Sequence, residues 1–124
     1  MGTVVGVAVA GALGALARYG LGGLISTRFP TAFPWDTLVI NVTGSFVLGF
    51  LFVLLTERLN APPSLRTAIT IGFLGAYTTF STFSLETVRL LEDGSYALAG
   101  LNVGTSVVFG LGAAWIGIAT ARAI

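Results

Sequence analysis

One apolar run in this chain is too long to cross a bilayer as a plain upright helix. It extends from Ser64 to Glu92, between Pro62-Pro63-Ser64 and Asp93-Gly94-Ser95, and exceeds by about nine residues the roughly 20 that such a helix needs. A run of this kind has to tilt or be interrupted. Its middle reads GAYTTFSTFS from Gly75 to Ser84, where a glycine, the β-branched pair Thr78-Thr79 and five hydroxyl side chains within seven residues together weaken helix propensity. A break is expected there. It would strand backbone groups at mid-membrane, where hydrocarbon offers no partners, so the segment has to be buried in protein, line a cavity or coordinate an ion.

The rest of the sequence fits a membrane solvent. Hydrophobic residues make up 55% and charged residues 9%, with a mean hydropathy of +0.94, far from the roughly 25% charge of soluble domains. Four spans are expected, at about 3–25, 37–55, 64–92 and 95–121, in a single all-α membrane domain covering 1–124. Six arginines, no lysine and a net charge of +1 supply no basic patch for nucleic acid. The absence of histidine and cysteine removes the usual general base, metal ligand and thiol nucleophile, so no enzyme is expected.

The first span, Thr3 to Ile25, lacks the basic leader and short apolar core of a signal peptide and reads as a retained helix. Gly6, Ala10, Gly14, Arg18 and Gly22 step by four along one face, the spacing of close helix approach. Arg18 lies roughly 10 Å from the helix end at 1.5 Å per residue. Two readings stay open for it: snorkelling to the interface, or lining a watery entrance on the small-residue face. A loop with Pro30, Pro34 and an interfacial Trp35 follows, and Asp36 or Thr37 is expected to cap the second helix.

In the second span Asn41 precedes Ser45 by four, with Gly44 and Gly49 nearby. Such an asparagine glues helices together or donates its two N–H groups to a site. In the third, Phe80 and Phe83 share a face, Phe73 is expected to stack below them, and their ring edges stand beside the hydroxyls of Thr78, Thr79, Ser81, Thr82 and Ser84. Glu86 and Arg89 are spaced to pair. The fourth span carries Asn102, Ser106, Gly110 and Ala114 on one stripe, with Gly100 and Gly104 as a second packing edge. Arg58, Arg66 and Arg122 fall on one side of the membrane and Arg28 and Arg89 on the other. That balance gives almost no positive-inside bias and would suit insertion in both orientations, with two copies pairing antiparallel.

These residues together resemble the Fluc (CrcB) family of fluoride channels. The likeness covers the whole chain, through Arg18, the TLVINVTGSFVLG segment around Asn41, and TTFSTFSLET in the third span. The resemblance implies an antiparallel dual-topology homodimer in the plasma (inner) membrane with two pores, or a heterodimer with a paralogous chain. It implies that Asn41 donates its amide to fluoride, that Phe80 and Phe83 present ring edges to it, and that Ser106 belongs to a polar track. Thr79 and Arg18 are further expected pathway residues, followed by Asn102, Glu86 and Ser45. It also implies a structural sodium ion at the dimer centre held by the backbone carbonyls of Gly75 and Thr78. Asn102 and Gly110 depart from the tyrosine and serine that some members place there. The implied function is passive fluoride export, conferring fluoride resistance. Two rivals remain at this level: a small dual-topology proton-coupled multidrug exporter, which needs a membrane carboxylate and would lean on Glu86, and a non-transporting membrane assembly subunit.

Overall fold

The structure is a computed structural model that describes residues 1–124, and it is entirely helical. Helix α1 covers Gly2–Arg28. Helix α2 covers Trp35–Val53 and runs on through a wide π turn, Leu54–Arg58. Helix α3, residues 63–77, joins an α turn (Pro63–Thr67), a π-helical stretch (Ala68–Leu74) and a last short α segment (Gly75–Tyr77). Helix α4 covers Phe80–Glu92 and α5 covers Tyr96–Ala123. Four stretches are long and apolar enough to cross a membrane: Gly2–Arg28, Trp35–Arg58, Pro63–Glu92 and Tyr96–Ala123.

The third of these is broken where its sequence is weakest. Thr78 (φ −85°, ψ 159°) and Thr79 (φ −152°, ψ 115°) are extended, so α3 stops at Tyr77 and α4 restarts at Phe80. The restart is capped by the Thr79 hydroxyl, which accepts from the Thr82 N–H at 3.1 Å. At the far end, Gly94 takes φ 75°. The Gly94 N–H bonds the Leu91 carbonyl at 3.1 Å and the Ser95 N–H bonds that of Leu90 at 2.8 Å, the paired closure of a Schellman turn.

Glycines set the packing. A Cβ on Gly14 would run into the Phe73 carbonyl of α3, and one on Gly72 would stand 3.0 Å from both Ala10 Cβ and Val7 O of α1. The small-residue face of α1 therefore clasps α3. In the same way Gly49 of α2 abuts the Ala114 carbonyl and Gly117 of α5 abuts that of Phe46, which makes α2 and α5 the most extensive helix pair. Only 18 of 124 residues are buried, while Leu16, Phe52, Ile71, Leu111 and Trp115 are exposed. An outer surface this apolar needs lipid or another chain around it rather than water. At one end Arg122 pairs with Glu57 at 2.9 Å, tying the C-terminus to the second loop.

Several local expectations are corrected. Helix α2 begins at Trp35 with Pro34 at its cap position and no side-chain cap, so neither Asp36 nor Thr37 caps it. Asp36 sits in the first turn, where its charge meets the positive end of the helix. Phe73 stacks on Tyr77 (centroids 6.1 Å apart) instead of below Phe80, because the extended residues redirect the chain between them. Glu86 accepts a 2.5 Å bond from the Thr37 hydroxyl instead of pairing with Arg89. Gly100 and Gly104 have nothing within 4 Å of an added Cβ and pack against no helix of the chain.

Candidate functional site

The break is held open by one side chain. Asn41 of α2 donates from Nδ2 to the Thr79 carbonyl at 2.9 Å and accepts from the Thr79 N–H at 2.8 Å. An amide presents a donor and an acceptor side by side, so it pairs with an extended residue as a neighbouring strand would. Two of the backbone groups that the break frees, the N–H and carbonyl of Thr79, are thereby satisfied. One N–H of Asn41 Nδ2 remains for another acceptor. The approach needs Gly44, one turn along α2, because a Cβ there would collide with the Thr78 methyl.

The severed end of α3 is closed by Arg18, whose Nε donates to the Ala76 carbonyl at 3.2 Å. Of the two readings left open for it, the structure selects the inward one: the guanidinium meets the negative end of a half-helix instead of snorkelling outward. The Gly75 carbonyl has no amide from the chain, since the Thr79 N–H that a continuous helix would bring to it is turned to Asn41.

Two cavities meet at this point. One, of ≈ 330 Å³, is lined by Asn41, Ser45, Thr70, Gly75, Thr78, Thr79, Phe80, Phe83, Ser106 and Gly110 among others. The other, of ≈ 510 Å³, lies toward the α1–α2 loop and contains Arg18, Tyr19, Ser26, Asp36, Thr37, Thr79 and Thr82. Thr79 borders both. The Phe80 and Phe83 rings lie 5.6 Å apart at 46°. Phe83 is half-buried, while Phe80 is 77% exposed in the single chain. Around them the lining is neutral polar side chains, apolar side chains and the two phenyl rings, with no carboxylate in that central cavity. Such a lining accommodates an anion and gives a cation only backbone and hydroxyl oxygens.

Of the residues singled out in the sequence, Asn41, Ser45, Gly75, Thr78, Thr79, Phe80, Phe83 and Ser106 are brought together, and Arg18 stands on the far side of Thr79. Asn102 is not with them. It is 1% exposed and donates to the Thr87 hydroxyl at 3.0 Å, joining α5 to α4. Glu86 also lies apart, in a space under the first loop with Arg89 and Asp93. Thr70 and Thr82 line the cavities and were not singled out as pathway residues. The available signal for Thr70 was its place four and eight residues before Leu74 and Thr78, on one helical face.

The chain is similar to known proteins along its length. A family model described as "CrcB-like protein, Camphor Resistance (CrcB)" matches residues 5–118. The chain is 52% identical over 124 residues to the fluoride-specific ion channel FluC of Geobacter sp. (strain M21), covering all of both chains. It is 51% identical over 124 residues to that of Citrifermentans bemidjiense, again over the full length of both. To the fluoride-specific ion channel FluC 2 of Symbiobacterium thermophilum it is 49% identical over 112 residues, 90% of this chain and 91% of the other.

Proposed function

The chain belongs to the CrcB family, and from that premise we propose that it is a fluoride-selective channel whose ion passes the break in the third span. The observation that carries this reading is the extended Thr78-Thr79 segment, splinted by Asn41 and walled by Phe80, Phe83 and Ser106.

Fluoride is small and strongly hydrated, so a pore has to replace its water with several donors at short range. The uncommitted N–H of Asn41 and the Ser106 hydroxyl are such donors, and the two phenyl rings add electropositive C–H edges, while the Thr78 and Thr79 hydroxyls are spent on the Leu74 carbonyl and on Thr82. Asn41 is fixed by its two bonds to Thr79, so its free N–H is preorganised and cannot swing out to fit a larger halide. Narrowness and fixed donors then discriminate against chloride. Nothing in the site couples transport to an energy source, so flux follows the gradient. In a cell that hydrogen fluoride enters as a neutral acid, the result is passive export across the plasma membrane and resistance to fluoride.

The working unit is an antiparallel dimer. In the single chain the polar groove holding Ser45, Asn41, Thr78 and Ser106 is open on one side, with Phe80 and Gly75 exposed at its edge. A groove of that polarity is costly against hydrocarbon, and a second copy inverted about an in-plane two-fold axis would roof it. The FluC 2 name of one relative fits a paralogous partner as an alternative to self-pairing. The carbonyls of Gly75 and Thr78 suit a sodium ion at the dimer centre, since that of Gly75 has lost its amide and hard cations prefer oxygen ligands. Bound there, the ion would supply positive charge to backbone oxygens that the break leaves without donors.

The direct test is ion efflux from liposomes containing the purified chain. Rapid loss of fluoride with retention of chloride is expected. Equal loss of both anions, or tight liposomes from folded protein, would contradict the assignment.

A further inference from the structure

A third cavity continues the line formed by the first two. The Arg18 cavity and the Phe80 cavity share Thr79, and the Phe80 cavity shares Thr70 with a space of ≈ 270 Å³ at the opposite end of the spans, between the end of α2 and the start of α3. This end space contains Thr56, Arg66 and Thr67 beside Phe52 and Leu55.

Its polar groups are unevenly committed. Thr56 donates to the Phe52 carbonyl and Thr70 donates to that of Arg66 at 2.8 Å. Neither the Arg66 guanidinium nor the Thr67 hydroxyl has a partner, and Arg66 Nε is sealed from solvent without an acceptor. The other two arginines at this end are engaged: Arg122 pairs with Glu57, and Arg58 bonds the Arg122 carbonyl. The guanidinium lines the cavity with its terminal N–H groups unpaired and accessible, and these offer an anion there charge-assisted donors.

We propose that Arg66 and Thr67 form an outer capture site for a small monovalent anion, which passes along Thr70 to the central cavity. The proposal rests on the fluoride reading and supplies the end of the route opposite Arg18. The positive charge raises the local anion concentration at the mouth. Because Arg66 stands at the end of the spans, away from Asn41 and the phenyl rings, it governs capture and not the rate of passage at saturation.

The test is initial fluoride uptake into phosphatidylcholine liposomes at low ionic strength, over a range of fluoride concentrations, for wild type, Arg66→Gln, Arg66→Lys and Thr67→Val. Arg66→Gln should slow uptake roughly tenfold at sub-saturating fluoride, leave the saturated rate within about twofold, and approach wild type as inert salt is added. Arg66→Lys should retain most of the rate. Thr67→Val, which keeps the charge, should give a smaller loss confined to low fluoride, and it carries the test if Arg66→Gln fails to fold. An equal slowing at every concentration would make Arg66 structural, and unchanged uptake in Arg66→Gln and Thr67→Val would remove the site. A defect that appears only with phosphatidylglycerol present would assign the guanidinium to a net-anionic lipid headgroup. Each of these overturns the proposal while leaving fluoride conduction intact. Wild-type liposomes without fluoride flux would overturn both.

Discussion

Asn41 and Thr79 decide whether the third span can be broken at all. Replacing Asn41 by leucine would leave the Thr79 N–H and carbonyl both unpaired inside the protein. At about 1–3 kcal/mol for each unsatisfied group, the variant should lose roughly 2–6 kcal/mol. The thermal midpoint of detergent-purified protein measures this, and a midpoint equal to wild type would mean that the splint carries no load. The importance of Asn41 was legible, because an amide on a glycine-opened face of a membrane helix needs a polar partner. Its partner was not legible. The register of α2 against the third span comes from Gly44 meeting Thr78, a contact between residues 34 positions apart that no local spacing encodes. Arg18 shows the same limit: its position allowed two directions, and only the location of the severed α3 carbonyls chose between them.

Among the elements, the broken span was the most legible, because its length, its glycine and its threonine pair all pointed to one place. The π-helical stretch Ala68–Leu74 was not. Its one glycine, Gly72, does not by itself mark a π turn, and the stretch coincides with the approach of Gly72 to Val7 and Ala10 of α1, a tertiary constraint. The α1–α3 clasp is testable. Gly14→Val puts a side chain into the Phe73 carbonyl, which is backbone and cannot rotate away. It should cost at least the roughly 1–3 kcal/mol of overpacking and reduce the folded protein recovered from membranes. Gly20→Ala, with nothing within 4 Å of the new Cβ, is the control and should stay within about 0.5 kcal/mol of wild type. Similar loss in both would show that helix propensity or insertion, not the clasp, sets the tolerance. The fourth-span stripe was half legible: Ser106 and Gly110 line the central cavity, but Asn102 turns to Thr87, because the α4–α5 contact lies on that side of the helix.

For the whole molecule, the small buried core and the exposed apolar helices mark a chain completed by its surroundings. Its nearly balanced arginines leave either orientation open. Reporter tags on the C-terminus should therefore signal from both sides of the membrane, as an antiparallel homodimer requires, and a signal from one side alone would demand an oppositely oriented partner chain. Four helical spans were readable from hydropathy, since the bilayer fixes their length. The groove itself was not, because its open side depends on how α2, the third span and α5 pack against one another. In the proposed channel the anion passes beside the splinted break. Fluoride flux through liposomes reconstituted with Phe80→Ile and with Asn41→Asp tests it most directly, given variants that purify as folded protein. At least a roughly tenfold loss is expected in each, equivalent to about 1.4 kcal/mol at the barrier. Wild-type flux in both would contradict it and place the route elsewhere.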